Sequence, residues 1–91
     1  IDDARALEIS CHVDGQVVQK GNTCDLLFSP ASVVSYVSQF VTLEPGDVIS
    51  TGTPGGVGEA RSPQLFLAPG NLLVSAILGI GELRNRCTSD A

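Results

Sequence analysis

The sequence has no methionine, no tryptophan and a single histidine, and aromatic residues make up 4% of the chain. Hydrophobic residues still make up 43%, so the apolar interior must consist of Val, Leu, Ile and Ala, which favours strands over a helical bundle. One histidine, and three cysteines without a Cys-x-x-Cys pair, do not provide the ligands of a zinc site.

Basic residues are also scarce, since five Lys and Arg stand against ten Asp and Glu and the formal net charge is -5. Nucleic-acid binding depends on clustered Lys and Arg, so this balance argues against such a partner. The basic cluster that exists is Arg84 and Arg86, which alternate about Asn85 and share one face if the segment is a strand. We interpret these two arginines as part of a solvated strand face.

Long hydrophobic runs are missing. The longest apolar stretch, NLLVSAILGIG, falls short of the roughly 20 residues that a membrane helix needs, so no membrane span is predicted. Cys11, Cys24 and Cys87 are an odd number of cysteines, which fits free thiols in a reducing cytoplasm. The chain starts IDDARALEIS without an initiating methionine, and its 91 residues are expected to be one domain at most and part of a longer protein.

Residues 7–14 alternate strictly between apolar and polar side chains, which is the pattern of a half-buried strand. Asp14 and Gly15 are residue types that accept the positive φ angles of a two-residue type I′ turn, and the following QVVQ is the expected partner strand. The alternation places His12 on the polar face, with no nucleophile positioned beside it, so it is not predicted to be a catalytic base.

The segment SPASVVSYVSQFV is predicted to form a helix over about residues 30–41. Ser29 is a suitable N-cap, and Pro30 suits the first helical position. An apolar stripe at helical spacing is expected to face the interior, while serines and Gln39 face outward. The stripe consists of Val33, Val37, Phe40 and Val41.

A short repeat follows, because LEPGDVIS at 43–50 and LAPGNLLVS at 67–75 share a Pro-Gly step and then an apolar run. Pro followed by Gly at the two central positions is typical of a type II turn, so each repeat is predicted to start a strand. The region 72–87 is predicted to form two strands around its glycines. About six short strands and one helix predict an α+β, mostly β fold of the barrel or rolled-sheet type.

The glycine-rich stretch TGTPGGVG, residues 51–58, lacks the Lys-Ser/Thr of a P-loop and the spacing of G-x-G-x-x-G, so nucleotide binding is not predicted. Its consecutive amides can form a concavity that suits a carboxylate, with Thr53 held extended before Pro54 at the mouth. A plain glycine-rich connection explains the same residues equally well.

The acids are dispersed, and none are paired at i, i+2 along a strand to hold a metal ion. No metal ligand and no catalytic residue is therefore predicted in this chain.

Several motifs occur together in a specific order: VDGQVVQKGNTCD, SQFVTLEPGDVI, TGTPGGVG, FLAPGN and GIGELRNR. In this order and spacing, from about Leu7 to Cys87, the chain resembles the C-terminal part of the fumarylacetoacetate hydrolase family. The resemblance implies that residues 1–91 are the C-terminal portion of a catalytic domain with the family's mixed β-roll or barrel fold, usually assembled as a homodimer.

The same resemblance implies an enzyme of aromatic catabolism that uses Mg²⁺ or Mn²⁺ and acts on small-molecule 2-oxo acids. Family reactions include hydrolysis of a carbon–carbon bond in acylpyruvates or fumarylpyruvate, isomerisation of hydroxyheptadienedioate-type compounds and decarboxylation of oxaloacetate. The family's metal-binding carboxylates, its active-site lysine and its catalytic histidine lie upstream of the matched region. We therefore expect this chain by itself to be inactive.

For this chain the resemblance implies two substrate-binding residues: Thr53, which faces the substrate, and Gly52, which permits that approach. Asn22, Thr23 and Asp25 of GNTCD are expected to fix a loop or, alternatively, to line the site. A different class of function stays open, namely a noncatalytic β-rich domain for binding or subunit assembly that keeps the scaffold without the chemistry.

Two positions depart from the family pattern. Asn71 stands where an aspartate commonly follows Pro-Gly, and Leu78 stands where an acid often precedes GIG. The turn is expected to tolerate Asn71 because it depends on the glycine before it. Leu78 is expected to add an apolar surface to a strand.

Overall fold

In the computed structural model, which describes residues 3–90, four strands form one antiparallel sheet. The strands are β1 (Glu8–Val13), β2 (Gln16–Asn22), β3 (Leu72–Ile77) and β4 (Gly81–Arg86), in the spatial order β2-β1-β3-β4. The connection between β2 and β3 contains one α-helix, α1 (Pro30–Val37), and two single-turn 3₁₀ helices, Thr23–Asp25 and Gly58–Ala60. This architecture confirms the predicted mostly β fold class. No helix within residues 3–90 has both the length and the apolar character to cross a membrane.

The predicted hairpin of β1 and β2 is confirmed, and its turn has φ angles of 50° at Asp14 and 82° at Gly15. The two strands contain a bulge that the sequence pattern did not indicate. Cys11 is opposite Gln19 whereas the next residue, His12, is opposite Val17. The residue between, Val18, therefore has no partner in β1.

β1 lies inside the sheet, with β2 on one side and β3 on the other. Ile9 is opposite Ile77 and Val13 is opposite Leu73 in the β1–β3 ladder. These apolar pairs share one face, because alternate residues of a strand point to the same side. All six residues of β3 are half-buried, so the best-covered part of the described chain is the middle of the sheet.

β4 is an exposed edge strand, and each of its residues is exposed. Arg84 Nε lies 2.7 Å from Glu82 Oε1, and Arg86 Nη1 donates a hydrogen bond to the Gly70 carbonyl at 2.9 Å. The predicted solvated face of the two arginines is confirmed. Charged side chains on an edge strand also disfavour pairing with a further strand.

α1 begins where the sequence predicts. Ser29 Oγ accepts a hydrogen bond from the amide of Ser32 at 3.2 Å, and Pro30 is the first helical residue. The helix ends at Val37 rather than near residue 41. Ser38 follows it, and the Ser38 hydroxyl donates to the carbonyl of Ser35 at 3.0 Å, a local bond of the kind that competes with continued helix.

The predicted apolar stripe of α1 is only partly correct. Val33 and Val37 are half-buried, as expected, but Phe40 and Val41 lie beyond the helix and are 71% and 57% exposed. The ring of Phe40 packs against Tyr36, with 5.3 Å between ring centroids. The early helix end explains the difference, because helical spacing no longer places these residues above Val33.

Both Pro-Gly repeats form the predicted turn. Gly46 and Gly70 have φ angles of 98° and 93°, and in each turn the fourth residue's amide donates to the first residue's carbonyl at 3.1 Å. β3 starts directly after the second turn, but residues 47–50 form no strand within the described chain. The strand predicted over 47–50 is therefore wrong, and so is the total of about six strands. An apolar run forms a strand only where a neighbour pairs with its backbone.

Asn71 has a second partner besides its own turn. Its Oδ1 accepts from the amide of Ala68 at 2.7 Å, and its Nδ2 donates to Asp14 Oδ2 at 2.6 Å. The amide of Leu72 donates to Asp14 Oδ1 at 2.8 Å. The bond from Leu72, and then that from Asn71, lowers the pKa of the Asp14 carboxyl below its ordinary value. An ionised aspartate at position 71 would have no proton to donate to Asp14. Asn71, which departs from the family pattern, does donate, and it thereby links its own turn to the hairpin turn at Asp14.

Among residues 3–90 no hydrophobic side chain is fully buried. Val48 and Leu27 are 90% and 89% exposed, and Leu78 is 72% exposed. Leu78 lies in the connection between β3 and β4, not on a strand face as expected. Apolar surface of this extent is typical of an element that packs against further protein.

Candidate functional site

The TGTP part of the glycine-rich stretch lies beside β2 and is held there by one side chain. Gln19 Nε2 donates to Thr53 Oγ1 at 2.9 Å and to the Pro54 carbonyl at 2.8 Å. Pro54 also lies close to β2, because a Cβ added to Gly21 would come within 3.0 Å of the Pro54 Cβ. Thr53 is therefore fixed in position by a strand that is distant in sequence.

The following glycines are held against the same strand. Arg61 Nε donates to the Gly56 carbonyl at 3.0 Å, and its Nη2 donates to the carbonyl of Val18, the bulged residue. A Cβ on Gly56 would clash with that same Val18 carbonyl. Gly56 is thus required for close contact with the chain's own backbone, which differs from the predicted role of these glycines in a carboxylate-binding concavity.

Gly52 has a different environment. Its φ angle is 122°, a conformation that favours glycine, yet an added Cβ would meet no atom within 4 Å. Open space therefore lies next to Thr53 on this side. The substrate-binding roles of Gly52 and Thr53 remain predictions, and the geometry leaves room for a ligand at both.

Three clefts, of about 610, 410 and 720 Å³, share Thr53 in their walls. The first has an apolar side formed by the sheet, to which Ile9, Ile77 and Leu83 contribute. Thr53 and Gln19 lie in the same wall. A cleft with an apolar side and a few convergent polar groups is the usual form of a small-molecule site.

The walls of the first cleft contain no Lys, Arg or His among the described residues. Glu82 is present, but its carboxylate is paired with Arg84. His12 lines none of the three clefts. This wall therefore offers hydrogen bonds to a ligand, and none of its described side chains carries a positive charge that neutralises an anion.

Residues 3–90 bring together no group of three His, Cys, Asp or Glu side chains able to hold a metal ion. The donor set of the described chain therefore does not fit the Mg²⁺ or Mn²⁺ that the family resemblance implies.

Residues of the GNTCD motif fix a loop. Asn22 Oδ1 accepts from the amide of Cys24 at 2.9 Å, and Thr23 Oγ1 accepts from the amide of Leu7 at 2.8 Å. Asn22, Thr23 and Asp25 also line the 410 Å³ cleft beside the TGTP loop. Both interpretations from the sequence, loop fixation and a place in the wall, thus agree with the geometry.

Sequence reasoning missed Gln19 and Arg61. Gln19 bonds to residues 34 and 35 positions away, and Arg61 bonds to Val18, 43 positions away. No local pattern marks such long-range hydrogen bonds. The sequence contained only an indirect indication of these bonds. Thr53 and Gly56 have polar groups that require hydrogen-bond partners, and β2 was predicted as a strand with polar side chains.

Comparisons with known proteins agree on one family. The family model described as fumarylacetoacetate (FAA) hydrolase C-terminal matches residues 1–88. The mitochondrial oxaloacetate tautomerase Fahd2a of Rattus norvegicus is 44% identical over 86 residues, which are 94% of this chain and 28% of that protein.

Two solved structures show the same fold. Fumarylacetoacetate hydrolase from psychrophilic Exiguobacterium antarcticum gives a TM-score of 0.90 at 37% identity, covering 96% of this chain and 31% of its own. Fumarylpyruvate hydrolase from Pseudomonas aeruginosa, in complex with Mn²⁺ and pyruvate, gives 0.81 at 40% identity, covering 94% of this chain and 34% of its own. The chain thus spans well under half of each protein it matches.

Proposed function

The chain belongs to the fumarylacetoacetate hydrolase family, to whose C-terminal region it corresponds, and we propose that it forms one wall of a site for 2-oxo acids. The observation that carries this proposal is the fixed position of the Thr53 hydroxyl where three clefts meet. The related fumarylpyruvate hydrolase was solved with pyruvate, a 2-oxo acid, and the curated relative is named for oxaloacetate, another. A 2-oxo-carboxylate is the chemical group these ligands share.

In this proposal Thr53 donates a hydrogen bond to the substrate carboxylate. A hydrogen bond to a charged group contributes about 1.5 to 3 kcal/mol. The first cleft, in whose wall Thr53 lies, also has an apolar side that includes Ile77 and Leu83. Gly52 leaves the open space that the carboxylate occupies.

The remaining chemistry comes from outside the described residues. We propose that the whole protein uses a divalent metal, as the Mn²⁺ complex of its relative supports, with metal ligands and proton-transfer groups that this chain does not provide. The reaction is proposed to be hydrolysis of a carbon–carbon bond or isomerisation of a 2-oxo acid, since relatives with both kinds of name are known. A homodimer and a cytoplasmic location are also proposals, which light scattering and cell fractionation test.

The proposal is tested by Thr53→Val in the whole protein that carries this chain, with Thr42→Val as a matched control. Thr42 is exposed and lines none of the three clefts, so its change should leave ligand binding unaltered. Thr53→Val should weaken pyruvate binding by about 1 to 3 kcal/mol, measured by calorimetry with Mn²⁺ present, and should leave Mn²⁺ affinity almost unchanged.

Equal pyruvate affinity in the two variants would remove Thr53 from the site. Wild-type protein that binds no 2-oxo acid at all would instead support the noncatalytic alternative, a domain for binding or assembly.

A further inference from the structure

We infer that Gln19 is a positioning residue that sets the direction of the Thr53 hydroxyl and so makes Thr53 a hydrogen-bond donor to the ligand. This inference rests on the proposed function, because it concerns the same site. Its physical basis is a pair of hydrogen bonds from one side-chain amide to two neighbouring residues of the TGTP loop.

The Pro54 carbonyl decides which end of the Gln19 amide faces the loop. A carbonyl oxygen can only accept, so the group 2.8 Å from it must be the NH₂ of Gln19 and not the amide oxygen. The opposite orientation would place two acceptor oxygens against each other. The amide orientation thus follows from hydrogen-bond chemistry alone.

The orientation of the amide then decides the role of Thr53. The same NH₂ group lies 2.9 Å from Thr53 Oγ1, so the hydroxyl oxygen accepts from Gln19. A hydroxyl has one proton, and Gln19 offers no acceptor on this side, so the Thr53 proton is available to another group. The Thr53 hydroxyl therefore favours a ligand group that accepts a hydrogen bond, such as a carboxylate or ketone oxygen. It disfavours a ligand group that donates one.

The position of Gln19 in the sheet makes it a firm support. Gln19 is half-buried on β2, opposite Cys11 of β1 and directly after the bulged residue Val18. Val18 holds the other end of the loop through Arg61. Two consecutive residues of one strand therefore fix both ends of residues 53–56, and Gln19 fixes the end that carries the ligand-facing hydroxyl.

The test compares Gln19→Met and Gln19→Glu in the whole protein with Gln39→Glu, an exposed glutamine that lines none of the three clefts. Methionine keeps the length and removes the donors. Pyruvate binding, measured by calorimetry at fixed Mn²⁺, should weaken about 3- to 10-fold for Gln19→Met. Gln39→Glu should bind as the wild type does.

Gln19→Glu gives the sharper result. Its ionised carboxylate accepts the Thr53 proton, which turns the hydroxyl away from the ligand, so binding at pH 8 should weaken more than in Gln19→Met. A protonated glutamate is a donor again. The deficit relative to wild type should therefore shrink as the pH falls toward about 4, near the ordinary glutamate pKa of about 4.3. A loss of binding that is the same at every pH would mean a merely structural role and would overturn the inference.

Hydrogen–deuterium exchange of residues 51–56 without ligand separates this inference from the proposed function. Gln19→Met should speed exchange in this segment, and Gln39→Glu should not. If wild-type protein binds no pyruvate, the proposed function fails. The exchange result alone then shows whether Gln19 holds residues 51–56 in place. Unchanged exchange in Gln19→Met shows that Gln19 does not hold the loop, and overturns the inference whether or not pyruvate binds.

Discussion

The two Pro-Gly turns of this chain are alike in sequence and local geometry, yet they lead to different structures. In the turn at 44–47 the Asp47 carboxylate accepts from the Glu44 amide at 2.9 Å, and in the turn at 68–71 the Asn71 amide oxygen accepts from the Ala68 amide at 2.7 Å. Only the second turn leads into a strand. Local sequence therefore specifies the turn, whereas a neighbouring backbone specifies the strand.

Long-range bonds distinguish the second turn. Gly70 donates to the Cys87 carbonyl at 2.8 Å, and Cys87 donates to the Asn71 carbonyl at 2.8 Å. Asn71 and Leu72 both donate to Asp14. Within residues 3–90 the first turn shows only bonds inside its own four residues. The second turn is therefore part of the sheet, and the first is a local structure on an exposed segment.

Replacing the glycine of each turn should give the largest difference between them. Alanine at Gly70 or Gly46 is strained, because both have positive φ, and a strained residue of this kind costs of order 1 to 3 kcal/mol. Gly70→Ala should lower the unfolding free energy of the whole protein by about that amount. Gly46→Ala should cost clearly less, because a turn without long-range bonds can relax. Urea denaturation measures both, and equal losses would contradict the distinction.

Exchanging the acid and the amide between the two turns should give the next largest difference in stability. Asn71→Asp removes a donor and places a negative charge beside Asp14, so it should lower the melting temperature at pH 7. Asp47→Asn keeps the side-chain oxygen that accepts from the Glu44 amide, so it should change the melting temperature little. Thermal unfolding of both variants is the measurement. A larger loss in Asp47→Asn would show that Asn71 is not the tie between the turns.

The pH dependence of Asn71→Asp has a defined sign. The Asp14 pKa is lowered in the folded protein, so its stabilising contribution is complete above the unfolded value of about 3.9 and is lost as the pH falls through the folded value. In Asn71→Asp the lowering is weakened, and the deficit relative to wild type should shrink in acid as the two carboxyls become protonated. A deficit that grows in acid would contradict this assignment.

The smallest effect is expected at the helix cap, which precedes the first turn. Ser29→Ala removes the bond to the Ser32 amide and should cost about 1 kcal/mol in urea denaturation. Ser29→Asp, which retains a capping oxygen, is the matched control and should restore most of the loss. If Ser29→Asp is as destabilised as Ser29→Ala, the cap does not stabilise α1.

Local residue types predicted the local structures well. Asp14 and Gly15 indicated the hairpin turn, Ser29 and Pro30 indicated the helix start, and each Pro-Gly step indicated its turn. The strand over 47–50 was wrongly predicted because its apolar run could not show whether a neighbour pairs with it. The same distinction between local and long-range structure holds for the candidate site. Motifs indicated Thr53, whereas Gln19 and Arg61 form hydrogen bonds across long sequence separations that no local pattern indicates.

The most direct test of the central claim is a crystal structure of the whole protein with Mn²⁺ and pyruvate. In that complex we expect Thr53 Oγ1 to lie about 2.5 to 3.0 Å from a pyruvate carboxylate oxygen, the normal range for such a hydrogen bond. Gln19 Nε2 should still bond to Thr53 Oγ1 and the Pro54 carbonyl in that complex. Pyruvate bound with its carboxylate more than about 4 Å from Thr53, beyond hydrogen-bond reach, would contradict the proposed role of Thr53 in substrate binding.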